Sequence, residues 1–151
     1  MKFIADSMLG KLARWLRILG YDAFYDPSVT LNQLIEMSKS SNVVFLSRRK
    51  SLPDGLHLQN MCYIPSEKIE EQIRFVIKKF NLDTRMNLFT RCLHCNAEVI
   101  SIDKSLAKGK VPEKSFEGYE NFSQCPNCKK IYWKGGHFLN TIKKLNNIIN
   151  N

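Results

Sequence analysis

The sequence predicts an α/β fold, a mostly parallel sheet flanked by helices, followed by a smaller cysteine-rich module and a C-terminal helix. Two observations lead to this prediction. In the first part of the chain, short apolar runs alternate with amphipathic helical patterns, as in βαβ units. In the second part, two C-x-x-C motifs and several glycines replace that alternation. We therefore expect two domains, residues 1–85 and residues 86–151.

The composition is that of a globular protein with a basic surface. Of 151 residues, 44% are hydrophobic and 25% are charged, which is ordinary for a soluble domain. No apolar run approaches the roughly 18 residues of a membrane span, and no signal-peptide pattern opens the chain. We therefore expect a cytoplasmic location and no membrane partner.

The net charge is +9, from 23 Lys and Arg against 14 Asp and Glu. Such a charge is compatible with a nucleic-acid partner, because phosphate contacts dominate nucleic-acid affinity. It is equally compatible with solvated, lysine-rich faces. The charge alone does not decide between them.

The first strand and helix organise the N-terminal domain. Residues 2–5 read as a buried strand that ends at Asp6. Ser7 is expected to cap the next helix, because its hydroxyl can accept a hydrogen bond from a backbone amide. Apolar residues recur at helical spacing over residues 8–19, and Gly20 ends the helix in the left-handed conformation. A carboxylate is thus expected at a strand end, beside a helix.

The later elements continue the alternation. Thr30 and Gln33 form a capping box at the start of a helix. The continuous apolar run 43–46 is typical of a strand covered on both faces. In such a sheet, binding sites form beyond the carboxyl ends of the strands, where the strand order reverses. The remaining elements are expected at residues 21–26 (strand), 31–40 (helix), 61–64 (strand), 67–80 (helix) and 137–149 (helix).

Four of the five cysteines form two motifs, Cys92 with Cys95 and Cys125 with Cys128. Zinc binds four thiolates tetrahedrally, and each C-x-x-C motif can present two sulfurs from one tight turn. Because four sulfurs leave no open coordination position, we predict a structural zinc ion in a zinc ribbon. Four unrelated buried thiols are the alternative, which the spacing disfavours. Cys62 stands alone in an apolar run and is expected in the core.

Several carboxylates of the first domain are candidates for catalysis. Metal-dependent hydrolysis of a phosphodiester needs clustered acids that hold Mg²⁺ or Mn²⁺ beside the attacking and leaving oxygens. Such acids are more often solvated or paired with arginine, and this alternative stays open. The candidate catalytic residues are Asp6, Glu36, Asp22 and Asp26.

Two basic segments could contact phosphates. One set of cations steps by three residues along the first helix, and the other set follows the third strand. Arginine suits bidentate phosphate contacts, although ion pairs with neighbouring acids are the alternative use. The candidate RNA-binding residues are Lys11, Arg14, Arg17, Arg48, Arg49 and Lys50.

Two motif blocks together resemble the Mut-seven C-terminal RNase domain family. The first block is Asp6-Ser7-Met8-Leu9-Gly10-Lys11-Leu12-Ala13-Arg14-Trp15-Leu16-Arg17, followed by Leu19-Gly20-Tyr21-Asp22. The second comprises Arg91-Cys92-x-x-Cys95-Asn96, Val111-Pro112, Cys125-Pro126-x-Cys128 and Tyr132-Trp133-x-Gly135-x-His137. The resemblance runs in order over nearly the whole chain.

The resemblance implies a PIN-like nuclease domain followed by a zinc ribbon, with metal-dependent cleavage of RNA. Asp6 matches the family's first acid position, and Glu36 lies where a helix-borne acid is expected. The family commonly carries Thr-Arg-Asp after the third strand, where this chain has Ser47-Arg48-Arg49. A cation thus replaces an acid, which removes a ligand and adds repulsion toward a metal ion.

Three functional hypotheses follow. The first is a metal-dependent RNA nuclease that uses Mg²⁺ or Mn²⁺. The second is a non-catalytic RNA-binding protein in which Arg49 contacts phosphate. The third is a protein-interaction module whose basic faces only keep it soluble.

Overall fold

The computed structural model describes all residues from Met1 to Asn151. The chain divides into two compact units, Met1–Asn96 and Ala97–Asn151, each with its own sheet. The predicted domain boundary after residue 85 stays a prediction.

The first unit alternates strands and helices as expected. Its elements are β1 (Lys2–Ala5), a 3₁₀ turn (Ser7–Leu9), α1 (Gly10–Ile18), β2 (Asp22–Phe24), α2 (Leu31–Met37), β3 (Val43–Ser47), β4 (Met61–Tyr63) and α3 (Ile69–Phe80). The strands are parallel, and their order across the sheet is β2-β1-β3-β4. This confirms the predicted parallel sheet.

The strand order reverses between β1 and β3. From β1 the chain moves to β2 on one side, and then returns to β3 on the other side of β1. Ala5 pairs with Leu46 at the carboxyl ends of these two strands. The backbone N–H of Asp6 donates to the Leu46 carbonyl at 2.9 Å. Asp6 therefore lies at the point where parallel sheets generally form their sites.

The core of the first unit is built on the two central strands. Phe3, Ile4, Phe45 and Leu46 are completely buried. The Phe3 ring also packs edge-on against Phe80 of α3, with ring centroids 5.5 Å apart. Burial of each such side chain contributes about 1.5–3 kcal/mol, so these strands anchor the sheet edge that carries Asp6.

The ends of the helices follow the predicted signals with one exception. The capping box is present, since Thr30 Oγ1 accepts from Gln33 N at 3.3 Å and Thr30 N donates to Gln33 Oε1 at 2.9 Å. The expected cap at Ser7 is wrong. Asp6 is the cap instead, because its Oδ1 accepts from Ser7 N at 2.6 Å, and a 3₁₀ turn precedes α1.

The second unit is a small antiparallel sheet with helices. Its elements are β5 (Ile100–Ile102), a 3₁₀ turn (Lys104–Ala107), α4 (Glu113–Gly118), β6 (Phe122–Gln124), β7 (Ile131–Tyr132) and α5 (Gly136–Asn150). The strand order is β5-β6-β7, and Phe122 is buried between the rings of Phe116 and Trp133.

None of the helices in the structure has the length and apolar character needed to cross a membrane.

We expect Gly20→Ala to lower the free energy of unfolding by about 3 kcal/mol, as measured by urea denaturation. Gly20 has φ +88°, and a Cβ there would lie 2.1 Å from the Asn87 carbonyl oxygen. Gly55→Ala is the control, because Gly55 has φ +81° with open space around it. This variant should lose only about 1–2 kcal/mol, which a left-handed backbone costs a residue with a Cβ. Equal losses for the two variants would show that the close approach at Gly20 has no energetic consequence.

Candidate nucleic-acid interface and metal centre

Asp6 is a buried carboxylate with donors on both oxygens. It is 4% exposed. Ser7 N and Ser7 Oγ donate to Oδ1 at 2.6 and 3.2 Å, and Ser47 Oγ donates to Oδ2 at 2.6 Å. A buried charge needs such partners, because water no longer solvates it. The pairing of β1 with β3 brings Ser47 to Asp6.

Arg49 supplies the cation for this carboxylate. Its Nε lies 3.6 Å from Asp6 Oδ2, and its backbone N–H donates to Ser47 Oγ at 3.0 Å. The Arg49 side chain is 53% exposed, whereas that of Asp6 is 6% exposed. The cation at the position where the resemblance implies an acid therefore pairs with Asp6.

The structure does not bring Asp22 to Asp6. Asp22 is the first residue of β2 and lies opposite Lys2, at the amino edge of the sheet. Its Oδ1 accepts from Asn96 Nδ2 at 2.7 Å. The spacing in the sequence could not reveal this, because Asp22 and Asp6 flank neighbouring strands at opposite ends.

Glu36 and Asp26 have local partners of their own. Glu36 is exposed on α2, and its Oε1 lies 2.5 Å from Lys39 Nζ. Asp26 Oδ1 accepts from Ser28 Oγ and Ser28 N at 2.7 and 2.9 Å. These two hydrogen bonds hold the pKa of Asp26 below its usual range, and the bond from the hydroxyl has the larger effect. The catalytic roles of both acids stay predictions.

The residues around Asp6 do not fit Mg²⁺ or Mn²⁺. Mg²⁺ usually keeps several waters and is bound through one or two protein carboxylates together with substrate phosphates, so those carboxylates must have oxygens available to ligate it. The structure gathers only one group of three or more His, Cys, Asp or Glu residues within ligating reach, and that group consists of cysteines. Asp6 already accepts three hydrogen bonds and pairs with Arg49. The hydrogen-bonding capacity of the Asp6 carboxylate is thus met by protein groups, and no further acids gather beside it to hold a metal ion.

The candidate phosphate-binding cations differ in their surroundings. Lys11, Arg14 and Lys50 are exposed. Arg48 is half-buried, and its Nη1 donates to the Ile64 carbonyl at 2.5 Å. The exposed cations can meet a phosphate in solution without first breaking a buried contact.

Arg17 is buried, although helical periodicity grouped it with the exposed cations of α1. It is 6% exposed, although it steps by three from Arg14 on the same helix. Its Nε donates to the Ala23 carbonyl at 2.9 Å, and Nη1 donates to the carbonyls of Leu93 and His94, both at 3.1 Å. Burial lowers the pKa of Arg17 from its ordinary value. Arg17 thus holds the first C-x-x-C turn.

Asn96 makes a second attachment for the same turn. Its Oδ1 accepts from Ala23 N at 3.0 Å, and its Nδ2 donates to Asp22. Asn96 has φ +68°, a left-handed conformation that asparagine tolerates better than most residues. Its backbone N–H also donates to the Cys92 carbonyl at 2.9 Å. The sequence showed Asn96 only as part of the second motif block and did not indicate its role.

The four cysteines form a candidate metal centre. The Sγ atoms of Cys92, Cys95, Cys125 and Cys128 all lie within 4.8 Å of one another. The amide of the second cysteine in each motif donates to the first sulfur, at 3.4 and 3.5 Å. Four thiolates in tight turns suit zinc in a closed, structural site. The donor set therefore fits the predicted ion.

Cys62 lies apart from this cluster. It is buried in β4, and burial raises the pKa of its thiol. This confirms the predicted core position.

The protein is thus of the α/β class. Its parallel sheet carries an acid at the point where the strand order reverses, and the same chain has a cluster of four cysteines. Residues 1–145 match the Mut7-C RNAse domain family, and the chain belongs to this family. The resemblance noted in the sequence is confirmed. No curated protein and no solved structure matches the chain.

We expect Cys125→Ser to lower the zinc-to-protein ratio, because one of four thiolates is lost, and to destabilise the protein. Metal analysis and thermal unfolding measure the two effects. Cys62→Ser is the matched control and retains its zinc. An unchanged ratio in Cys125→Ser would contradict the four-thiolate site.

Arg17→Met is expected to lower the free energy of unfolding by about 1–3 kcal/mol, because the buried Ala23 carbonyl and two partly buried carbonyls of the turn lose their donor. Arg14→Met, on the same helix but exposed, should change it by about 0.5 kcal/mol or less. Urea denaturation of both variants measures the difference. Equal, small effects would show that Arg17 does not hold the turn.

Proposed function

We propose that this protein binds RNA at the Asp6 end of its parallel sheet and does not cleave it by acid-held metal ions. The observation that carries the proposal is the ion pair between Asp6 and Arg49. The family description supports RNA as the partner. The net charge of +9 is consistent with a polyanion.

Arg49 serves two purposes in this proposal. Its Nε pairs with Asp6, so the carboxylate repels an approaching phosphate less. Its side chain is half exposed, so a phosphate can approach the guanidinium donors that Asp6 does not use. Arginine binds phosphate well in this way because its donors form a planar fork.

Two exposed lysines extend the proposed phosphate path. Lys11 lies on α1, shortly after Asp6 in the chain, and Lys50 follows Arg49. Each adds a strongly hydrated point charge, which attracts a phosphate without fixing its orientation. Binding should therefore depend on salt and only weakly on sequence.

A second candidate function is metal-dependent cleavage of RNA, with Asp6 and Glu36 as ligands together with Asp22 or Asp26. The family match over residues 1–145 favours it. It requires Arg49 to release Asp6 and other acids to approach, because the acids do not form a ligand set in this structure.

The affinity for single-stranded RNA should fall steeply as salt rises, measured by fluorescence anisotropy. Arg49→Ala should reduce the slope of log K against log salt by about 0.7, the effect of one lost phosphate contact. Arg85→Ala is the control, since Arg85 is also exposed but follows α3. Affinity independent of salt would contradict the proposal and favour the protein-interaction hypothesis.

Zinc-loaded protein should leave a mixed panel of labelled RNAs intact with added Mn²⁺ or Mg²⁺, as resolved by gel electrophoresis. Cleavage that needs added metal and disappears in Asp6→Asn would overturn the proposal in favour of the second candidate. Cleavage that persists in Asp6→Asn would indicate a contaminant or another site.

A further inference from the structure

A cleft of about 660 Å³ opens beside the carboxyl end of β1. This size lies within the range of small-molecule binding sites. Its walls come from the 3₁₀ turn, the start of α1, the segment after β2, the segment that leads into α3 and the first turn of α3. The lining includes Met8, Gly10, Lys11, Tyr25 and Glu67.

We propose that this cleft binds one nucleotide of the RNA, with its base stacked on Tyr25 beside Met8 and its phosphate near Lys11. This inference rests on the proposed RNA binding and names where one base is held. An aromatic ring accepts any base, because every base has a π-face.

The Tyr25 ring is held in place at the cleft wall. Its hydroxyl donates to the Ser7 carbonyl at 3.1 Å. The ring also approaches the backbone of α1 closely, since a Cβ on Gly10 would lie 2.7 Å from Tyr25 Cζ. Gly10 is therefore required for this ring position, although its own φ of −59° is helical. A ring that is already positioned loses little freedom when a base stacks on it.

Met8 and Lys11 provide the remaining contacts for a nucleotide. Met8 is 72% exposed, so its side chain is accessible to a ligand, and its flexible thioether can adapt to an aromatic base. Lys11 is exposed in the same cleft and can meet the phosphate.

Glu67 is the one carboxylate in the lining of the cleft. Its Oε1 lies 3.4 Å from Arg48 Nη2. This pairing offsets the repulsion that Glu67 would otherwise exert on a phosphate. The charge of the cleft is therefore compatible with a nucleotide.

The test compares a short single-stranded RNA with an abasic RNA that has the same backbone, both titrated by fluorescence anisotropy. Tyr25→Leu should weaken binding of the intact RNA about tenfold, the effect of one lost base stack. It should leave the affinity for the abasic backbone unchanged. Tyr25→Phe retains the ring and should bind intact RNA nearly as well as the parent.

Gly10→Ala gives an independent variant that leaves Tyr25 in the chain. The added methyl group must displace the ring, so its loss of affinity should lie between those of Tyr25→Phe and Tyr25→Leu. Its thermal stability should fall only slightly, because the displaced ring loses its hydrogen bond to the Ser7 carbonyl while alanine favours a helix over glycine. Gly136→Ala, also at the first residue of a helix but with open space around it, should bind RNA like the parent.

The outcomes separate this inference from the proposed function. Equal affinities of Tyr25→Leu and the parent for intact RNA would overturn the nucleotide site and leave RNA binding standing. Equal losses on intact and abasic RNA would show that Tyr25 only shapes the basic surface, which also overturns it. No salt-sensitive RNA binding by the parent would overturn the proposed function, and the nucleotide site with it.

Discussion

A carboxylate removed from water must be surrounded by donors and countercharge, and in this protein that requirement is met at Asp6. Its backbone N–H joins β1 to β3 through Leu46, and one side-chain oxygen caps the turn that starts α1. The other oxygen accepts from Ser47 and faces Arg49. The same satisfied carboxylate therefore positions a helix, a strand end and a basic loop. Removal of either side-chain partner would leave a buried charge less compensated, which is the costly direction.

A second hydrogen-bond network connects the first C-x-x-C turn to the rest of the first unit. Arg17 and Asn96 both contact the backbone of Ala23 in β2. Arg17 also donates to the Leu93 carbonyl in the turn, and the Asn96 backbone N–H donates to the Cys92 carbonyl. A metal ion that orders the cysteines also orders the carbonyls that Arg17 binds. Binding of metal and packing of the first unit are thus expected to support each other, as metal binding and folding generally do in such modules.

Local signals in the sequence predicted much of the fold. The alternation of elements gave the parallel sheet, and the left-handed end of α1 followed from Gly20. The cysteine spacing gave the four-thiolate cluster. Spacing alone could not predict the pairing of Asp6 with Arg49, because the pairing depends on which strand lies beside β1. The resemblance implied only that Arg49 occupies the position of an acid in the same cluster as Asp6. Helical spacing grouped Arg17 with exposed cations, since periodicity describes one helix and carries no information about what packs against it.

The most direct test of the account is a titration of zinc-loaded protein with Mn²⁺, followed by electron paramagnetic resonance. The account predicts no Mn²⁺ site that depends on Asp6, because Arg49 holds that carboxylate. Arg49→Asp, which places a second acid beside Asp6, is the variant expected to gain Mn²⁺ affinity. A stoichiometric Mn²⁺ site in the parent that disappears in Asp6→Asn would contradict the account and identify Asp6 as a metal ligand.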